Sequence, residues 1–105
     1  MNKEKTNYIQ DSKDTEKYNK CIKIIINAIE AVLDNNESSL SFEESYRSVY
    51  TIGQLNRNQD LIKILDDIFE KNRHKMTNEK WLMIRDCLMY LVRSQNYKIP
   101  IEYQS

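Results

Sequence analysis

The sequence predicts an all-α protein, an antiparallel helical bundle of about four helices in a single domain. Its 105 residues include one Gly and one Pro, so few positions interrupt a helix. Charged residues make up 30% of the chain, which is typical of helices with a solvated face. Apolar residues also recur three and four positions apart through most of the chain. We therefore expect a bundle at 14–99, after a flexible N-terminal arm at 1–13 and before an irregular tail at 100–105.

The first helix is predicted from about Asp14, where a continuous apolar face begins. The isoleucines at 24–26 are β-branched and would also suit a strand, but the three- and four-residue period decides for a helix. The Asp-Asn-Asn run at 34–36 is expected to end it, because these side chains compete for backbone hydrogen bonds. The apolar face consists of Ile22, Ile25, Ile26, Ile29, Val32 and Leu33.

A second helix is predicted to begin at Ser41, which forms a capping box with Glu44. Leu40 precedes the cap and can act as a hydrophobic staple. Gly53 weakens a helix by about 1 kcal/mol relative to Ala, so an end near 56–58 is expected. One side of this helix carries Phe42, Tyr46, Val49, Tyr50 and Gly53.

Two further helices are predicted in the second half of the chain. The third spans about Gln59–Lys71 and places apolar residues on two neighbouring rows. The fourth begins with Thr77 or Asn78 as its cap, and Pro100 limits how far it extends. The apolar rows are Leu61, Leu65 and Ile68 with Ile62 and Phe69, then Trp81, Ile84, Leu88 and Leu91 with Met83, Cys87 and Tyr90.

Composition argues against several classes of partner. Sixteen basic and sixteen acidic residues cancel, so no net field attracts nucleic acid. Apolar runs stay below the ~18 residues of a membrane span, and the charged start does not resemble a signal peptide. Cys21 and Cys87 lie far apart without metal-ligand spacing, so we expect buried, reduced thiols, no metal and no cofactor. An intracellular protein of the cytoplasm or nucleus is predicted.

No catalytic site is expected. His74 lies in the most hydrophilic part of the chain, where an exposed loop histidine is the simplest interpretation. Acidic pairs occur at 43–44 and 66–67, but neighbouring residues on a helix point about 100° apart and do not form a dyad. We therefore predict that the chain is not an enzyme.

Two helix faces combine aromatic residues with arginine. Tyrosine and arginine suit protein interfaces, because each has an apolar part and a hydrogen-bonding end. Aromatic residues at helical spacing also commonly pack inside a core, and composition alone leaves both interpretations open. The residues are Phe42, Glu43, Tyr46, Arg47 and Tyr50 on the second helix, and Tyr90, Arg93 and Tyr97 on the last.

Four segments resemble three helices of the first cullin repeat of the cullins that recruit BTB-domain adaptors. Residues 40–51 (LSFEESYRSVYT) are similar to the second helix of that repeat, and 83–93 (MIRDCLMYLVR) resemble its fifth helix. Residues 16–18 (EKY) and 27–29 (NAI) match its first helix in nearly the same register. The segments occur in the family's order, so the resemblance covers about 16–51 and 81–93. It implies a cullin repeat shortened to about four helices.

The resemblance also implies a function in ubiquitin-ligase assembly, part of the ubiquitin-like conjugation pathway. In these cullins the second and fifth helices dock the BTB-domain adaptor. Aromatic side chains would then fill apolar grooves of the adaptor, with charged side chains at the rim. Carried over position by position, the partner-binding residues are Leu40, Ser41, Phe42, Glu43, Tyr46, Arg47, Tyr50, Tyr90 and Arg93.

This chain departs from the family in three ways. It is shorter between Tyr50 and Met83, and its N-terminal arm offers only Tyr8 and Ile9 for an apolar adaptor contact. It also lacks the later repeats and the C-terminal domain, so no contact with a RING subunit is expected. Either it is the N-terminal piece of a divergent cullin, or it is a stand-alone competitor for adaptors. Alternatives are a structural or self-associating bundle without an adaptor, and a cullin-like binder of another regulator such as a kinase.

Overall fold

The computed structural model describes the backbone of residues 2–98 and the side chains of 13–98 except that of Ser39. This part is an all-α bundle, which confirms the predicted fold class. The predicted tail at 100–105 lies outside the described residues. The α-helices are α1 (Asn2–Leu33), α2 (Phe42–Gln54), α3 (Asn58–Lys71), α4 (Asn78–Cys87) and α5 (Met89–Ser94), with short 3₁₀ turns at Glu37–Ser39 and Arg73–Lys75.

The helix ends follow the side chains that the sequence places there. The hydroxyl of Ser41 accepts a hydrogen bond from the backbone N–H of Glu44 at 3.2 Å and caps α2. Thr77 caps α4 in the same way through the N–H of Lys80, also at 3.2 Å. Three helices are followed by an asparagine with positive φ, a conformation that Asn adopts more readily than most residues. These are Asn35 after α1, Asn56 after α2 and Asn96 after α5.

Two boundaries differ from the prediction. The backbone of α1 is helical from Asn2 rather than from about Asp14, so the predicted loose arm continues the helix. Residues 2–13 contain no Gly or Pro, and extending a helix is much easier than nucleating one. The predicted fourth helix is divided at Leu88, whose N–H donates to the carbonyls of both Ile84 and Arg85. The bundle therefore has five α-helices in its described part, where about four were predicted.

The core draws side chains from all five helices. Ile25 and Ile29 of α1 are buried against the inner faces of the other helices, as their spacing predicts. Cys21 and Cys87 are buried as well. The largest side chains with less than 2% exposure include Phe69, Ile25, Ile29, Ile52, Leu61, Leu65, Met76, Ile84, Leu88 and Leu91.

Small polar residues lie on the inner face of α2. Ser45 and Ser48 are buried, and their hydroxyls donate to the backbone carbonyls of Ser41 and Glu44 at 3.1 and 2.9 Å. Each buried hydroxyl is thus satisfied within its own helix. Ser45 and Ala28 of α1 line a common groove, so little side-chain bulk separates α2 from α1 there. With this inner face packed, the opposite face of α2 is turned outward.

Two lysines fasten the start of α4 to the end of α1. The Lys80 ammonium donates to the Leu33 carbonyl at 2.8 Å, which satisfies one of the free carbonyls at the C-terminus of α1. Lys75 pairs with Asp34 at 3.1 Å. Both contacts place positive charge at the negative end of the α1 dipole. They connect the end of α1 to the start of α4 and to the turn before it.

Tyr97 lies beyond the last helix and inside the bundle. The sequence places Tyr97 on the last helix together with Tyr90 and Arg93, and this is wrong, because α5 ends at Ser94 and Asn96 turns the chain inward. Its side chain is 6% exposed, and its hydroxyl donates to the Asp66 carboxylate at 2.9 Å. Burial, together with the hydrogen bond to Asp66, raises the pKa of Tyr97. This contact anchors the end of the described chain to α3.

Replacing Tyr97 with phenylalanine is expected to destabilise the chain by about 1–2 kcal/mol, because a buried hydrogen bond is lost. The raised pKa keeps the folded phenol protonated, whereas the unfolded one ionises above about pH 10. Stability should therefore fall as pH rises beyond about 10, and less so in the variant. Urea unfolding at neutral and alkaline pH measures both effects. Tyr46→Phe, at an exposed position, is the control and should unfold like the unmodified chain.

Candidate protein-docking surface

The outer face of α2 carries three exposed aromatic side chains. Phe42, Tyr46 and Tyr50 are 37%, 38% and 46% exposed, and their spacing of four residues places them on one side of the helix. We call these three residues the aromatic stripe. The core interpretation of this pattern is wrong for them, because the inner face is formed by other residues. Those buried residues of α2 are Ser45, Ser48, Val49 and Ile52.

Polar residues accompany the aromatic stripe on α2. Glu43 and Arg47 are both exposed and lie one turn apart. Ser41 is exposed too, but its hydroxyl is engaged in capping the helix. Leu40 is half-buried and packs against the edge of the core. Leu40 and Ser41 thus have structural roles just before α2, whereas Glu43 and Arg47 on the helix are exposed charged groups that can meet a partner's surface.

Tyr90 of α5 joins the aromatic stripe at its C-terminal end. Its ring meets the Tyr50 ring edge to face, with centroids 5.1 Å apart and an interplanar angle of 69°. This arrangement is favourable for two aromatic rings. Tyr90 is half-buried and packs against the core, whereas Arg93 one turn later is exposed. The structure therefore places the two predicted docking helices in contact. Part of the Tyr90 side chain is used in this contact.

The role of one residue of this surface was not identified from the sequence. The sequence places Gly53 on the same side of α2 as the aromatic residues and indicates only a weak point there, yet it lies against the edge of the Tyr90 ring. A glycine inside a helix that continues past it is a signal of close packing by another group. The sequence could not say which group approaches, because Gly53 and Tyr90 are far apart along the chain.

A shallow groove of about 220 Å³ lies beside the surface, between α1 and the first turn of α2. Leu40 and Ser41 belong to both the groove and the candidate surface. Its remaining lining is a mixture of apolar and polar side chains without a paired acid and base. The lining residues are Ile24, Asn27, Ala28, Ala31, Leu40, Ser41, Glu44 and Ser45.

His74 and Cys87 are two described side chains that could take part in acid–base or nucleophilic chemistry. His74 is exposed in the 3₁₀ turn at Arg73–Lys75, as predicted. Burial raises the pKa of the Cys87 thiol to about 11, which makes it a poor nucleophile at neutral pH. Among the described residues, no group of three or more His, Cys, Asp and Glu side chains is placed to hold a metal ion. No helix in that part of the chain is long and apolar enough to cross a membrane.

Searches against protein-family models, curated proteins and solved structures find no match to this chain. Any function proposed for the chain therefore depends on the geometry of the surface and on the residues that resemble the cullin repeat. Of the family's predicted contacts, the side chains of Tyr8 and Ile9 lie outside the described residues. The nine partner-binding residues predicted on α2 and α5 and just before α2 are all described.

Proposed function

We propose that this chain is a protein-interaction module that docks a BTB-domain adaptor through α2 and α5 and has no catalytic activity of its own. The observation that carries the proposal is the aromatic stripe, three rings exposed on one helix face and continued by Tyr90. Exposed aromatic side chains grouped in this way are typical of binding surfaces. Their presence is costly for an isolated bundle and is explained by a partner that covers them.

In this proposal the aromatic side chains contribute most of the affinity, and the charged side chains align the chain with its partner. Tyr46 is the central anchor, since Phe42 and Tyr50 flank it one turn away on either side. Central aromatic residues that lose all contact with water contribute most to binding. Glu43, Arg47 and Arg93 lie at the rim, where charges affect the choice of partner and the association rate more than the affinity.

The BTB-domain adaptor is named because of the resemblance. The segments at 40–51 and 83–93 that are similar to the docking helices of a cullin repeat are the segments that carry the aromatic stripe, Tyr90 and Arg93. Their contact on one side of the bundle supports the proposal, since docking by two helices requires them to be neighbours. The chain would act in the ubiquitin-ligase pathway of the cytoplasm or nucleus, as part of a divergent cullin or as a competitor for adaptors.

Self-association is the second candidate function. The same exposed rings that favour an adaptor would also favour a second copy of the chain, because apolar burial does not distinguish between them. The near balance of acidic and basic residues means that little net charge opposes pairing. In that case the aromatic stripe would be buried in a symmetric dimer. A cullin-like binder of another regulator would use the same surface.

Titration calorimetry against a panel of BTB-domain adaptors from the same source tests the proposal. We expect one or more adaptors to bind at micromolar concentration or tighter, and Tyr46→Ala to weaken binding by about tenfold or more. Leu82→Ala is the matched control, because Leu82 is also an exposed apolar residue, 43% exposed, but lies on α4 outside the candidate surface. Circular dichroism establishes that both variants are folded.

Two results would reject adaptor docking. One is an unmodified chain that binds none of the adaptors. The other is binding that Tyr46→Ala and Leu82→Ala weaken equally. Light scattering across a range of concentrations distinguishes self-association from adaptor docking. A dimer held by the aromatic stripe would have twice the mass of the chain, and Tyr46→Ala would return it to a monomer.

A further inference from the structure

The single glycine of the chain lies beneath the ring of Tyr90. Gly53 is the second-to-last residue of α2, and its φ is not positive. Its backbone conformation is therefore open to any residue, so conformational freedom does not explain the glycine. A Cβ at this position would lie 3.1 Å from both Cζ and Oη of Tyr90 and would overlap Cε1. The Tyr90 ring occupies the space that a side chain at position 53 would need.

The Tyr90 side chain has two further contacts besides Gly53. Tyr50 meets it edge to face at 5.1 Å, and the rest of the half-buried side chain packs against the core. The helix that carries Tyr90, α5, is only six residues long and has no side-chain cap at its N-terminus. A helix of this length is not stable by itself in water, so its position depends on contacts made by residues such as Tyr90 and Leu91.

We propose that Gly53 is a positioning residue. Because it has no side chain, it leaves a space on α2 that the Tyr90 ring fills, and this contact fixes α5 beside the aromatic stripe. We call this space the Tyr90 seat. Gly53 touches no partner in this view and acts through Tyr90. The role in docking rests on the proposed function, whereas the seat itself is a property of the bundle. Because the neighbouring group is a ring at the end of a side chain, a Cβ displaces the ring rather than the backbone.

Alanine at position 53 therefore has two opposing effects on stability. It removes the cost of a glycine near the end of a helix, which by itself raises the melting temperature by about 2–8 °C. It also expels the Tyr90 ring from its seat, which lowers the melting temperature. In a chain with Tyr90→Ala the second effect is absent, so Gly53→Ala should only stabilise.

Thermal unfolding of four proteins tests whether the Tyr90 ring fills the space left by Gly53. The four proteins are the unmodified chain, Gly53→Ala, Tyr90→Ala and the double variant. We expect Gly53→Ala to raise the melting temperature in the Tyr90→Ala background and to leave it unchanged or lower it otherwise. Proton NMR should show that the cross-peaks between the Tyr50 and Tyr90 rings are lost in Gly53→Ala and kept in the neighbouring control Gln54→Ala. Equal stabilisation in both backgrounds, or retained cross-peaks, would overturn the seat.

Calorimetry with a BTB-domain adaptor that binds the unmodified chain tests the positioning role. Gly53→Ala should weaken binding about tenfold, while Gln54→Ala binds normally. An affinity unchanged by Gly53→Ala overturns the positioning role even where the unfolding data support the seat. If no adaptor binds the unmodified chain, the proposed function and the docking role of Gly53 fail together. The four-protein comparison still decides whether Gly53 seats the ring, so the two failures are distinguishable.

Discussion

Replacing Phe69 with alanine is expected to destabilise the bundle by about 3–5 kcal/mol, which is at the upper end for a single core substitution. Phe69 lies on the inner face of α3 and has no exposed surface. Its removal takes away the transfer free energy of the ring and leaves a cavity that the packed helices fill only in part. A chain of this size has a total stability of about 5–15 kcal/mol, so the variant should lose at least about a fifth of that stability and unfold at a clearly lower urea concentration.

Phe42→Ala provides the matched control, because the chemical change is the same and only the burial differs. Phe42 is 37% exposed and lies at the start of α2 on the aromatic stripe. We expect it to cost about 1 kcal/mol or less, since no closed cavity is formed. Urea unfolding of the two variants measures the difference directly. Similar losses for both would mean that α3 does not pack as described.

Most of the fold could be predicted because several helix ends carry their own local signals. Ser41 and Thr77 are caps in the sequence and caps in the structure, and the asparagines after α1 and α2 end the helices that they were expected to end. These signals act over three or four residues, so they can be identified from the sequence alone. The division at Leu88 gave no such signal, because a leucine on a continuous apolar row does not indicate a break.

The residues of the candidate site could be predicted from the sequence, but most of the contacts between them could not. The aromatic stripe follows from the spacing of Phe42, Tyr46 and Tyr50 once the inner face of α2 is known. The edge contact of Tyr50 with Tyr90, and the place of Gly53 beneath it, depend on how α5 packs on α2. Such contacts are set by tertiary packing between distant segments, which periodicity in one segment cannot specify.

Tyr97 illustrates the same limit. Its spacing from Tyr90 and Arg93 suits an outer helix face only if the helix continues, and α5 ends at Ser94 instead. The left-handed turn at Asn96 then directs the side chain inward to Asp66. The end of a short helix thus decided whether a tyrosine belongs to the surface or to the interior.

If the chain docks an adaptor as proposed, removing Tyr46 and Tyr50 together is expected to weaken that binding by several hundred-fold, or roughly 3–4 kcal/mol. Both side chains are exposed, so the double alanine variant should keep its helical circular dichroism. Tyr50 also supports the Tyr90 ring, so its loss disturbs the surface beyond its own contact. We therefore expect the two single effects not to add simply, because the rings form one connected surface.

The salt dependence of binding distinguishes this mode of docking from an electrostatic one. With aromatic anchors at the centre and Glu43, Arg47 and Arg93 at the rim, raising the salt from about 50 to 200 mM should change the affinity by less than about threefold. Arg47→Ala should mainly slow association, while the double tyrosine variant should dissociate faster. Stopped-flow kinetics at the two salt concentrations measures both rates. A steep loss of affinity with salt, or a double tyrosine variant that dissociates no faster than the unmodified chain, would mean that charges rather than the aromatic stripe hold the partner.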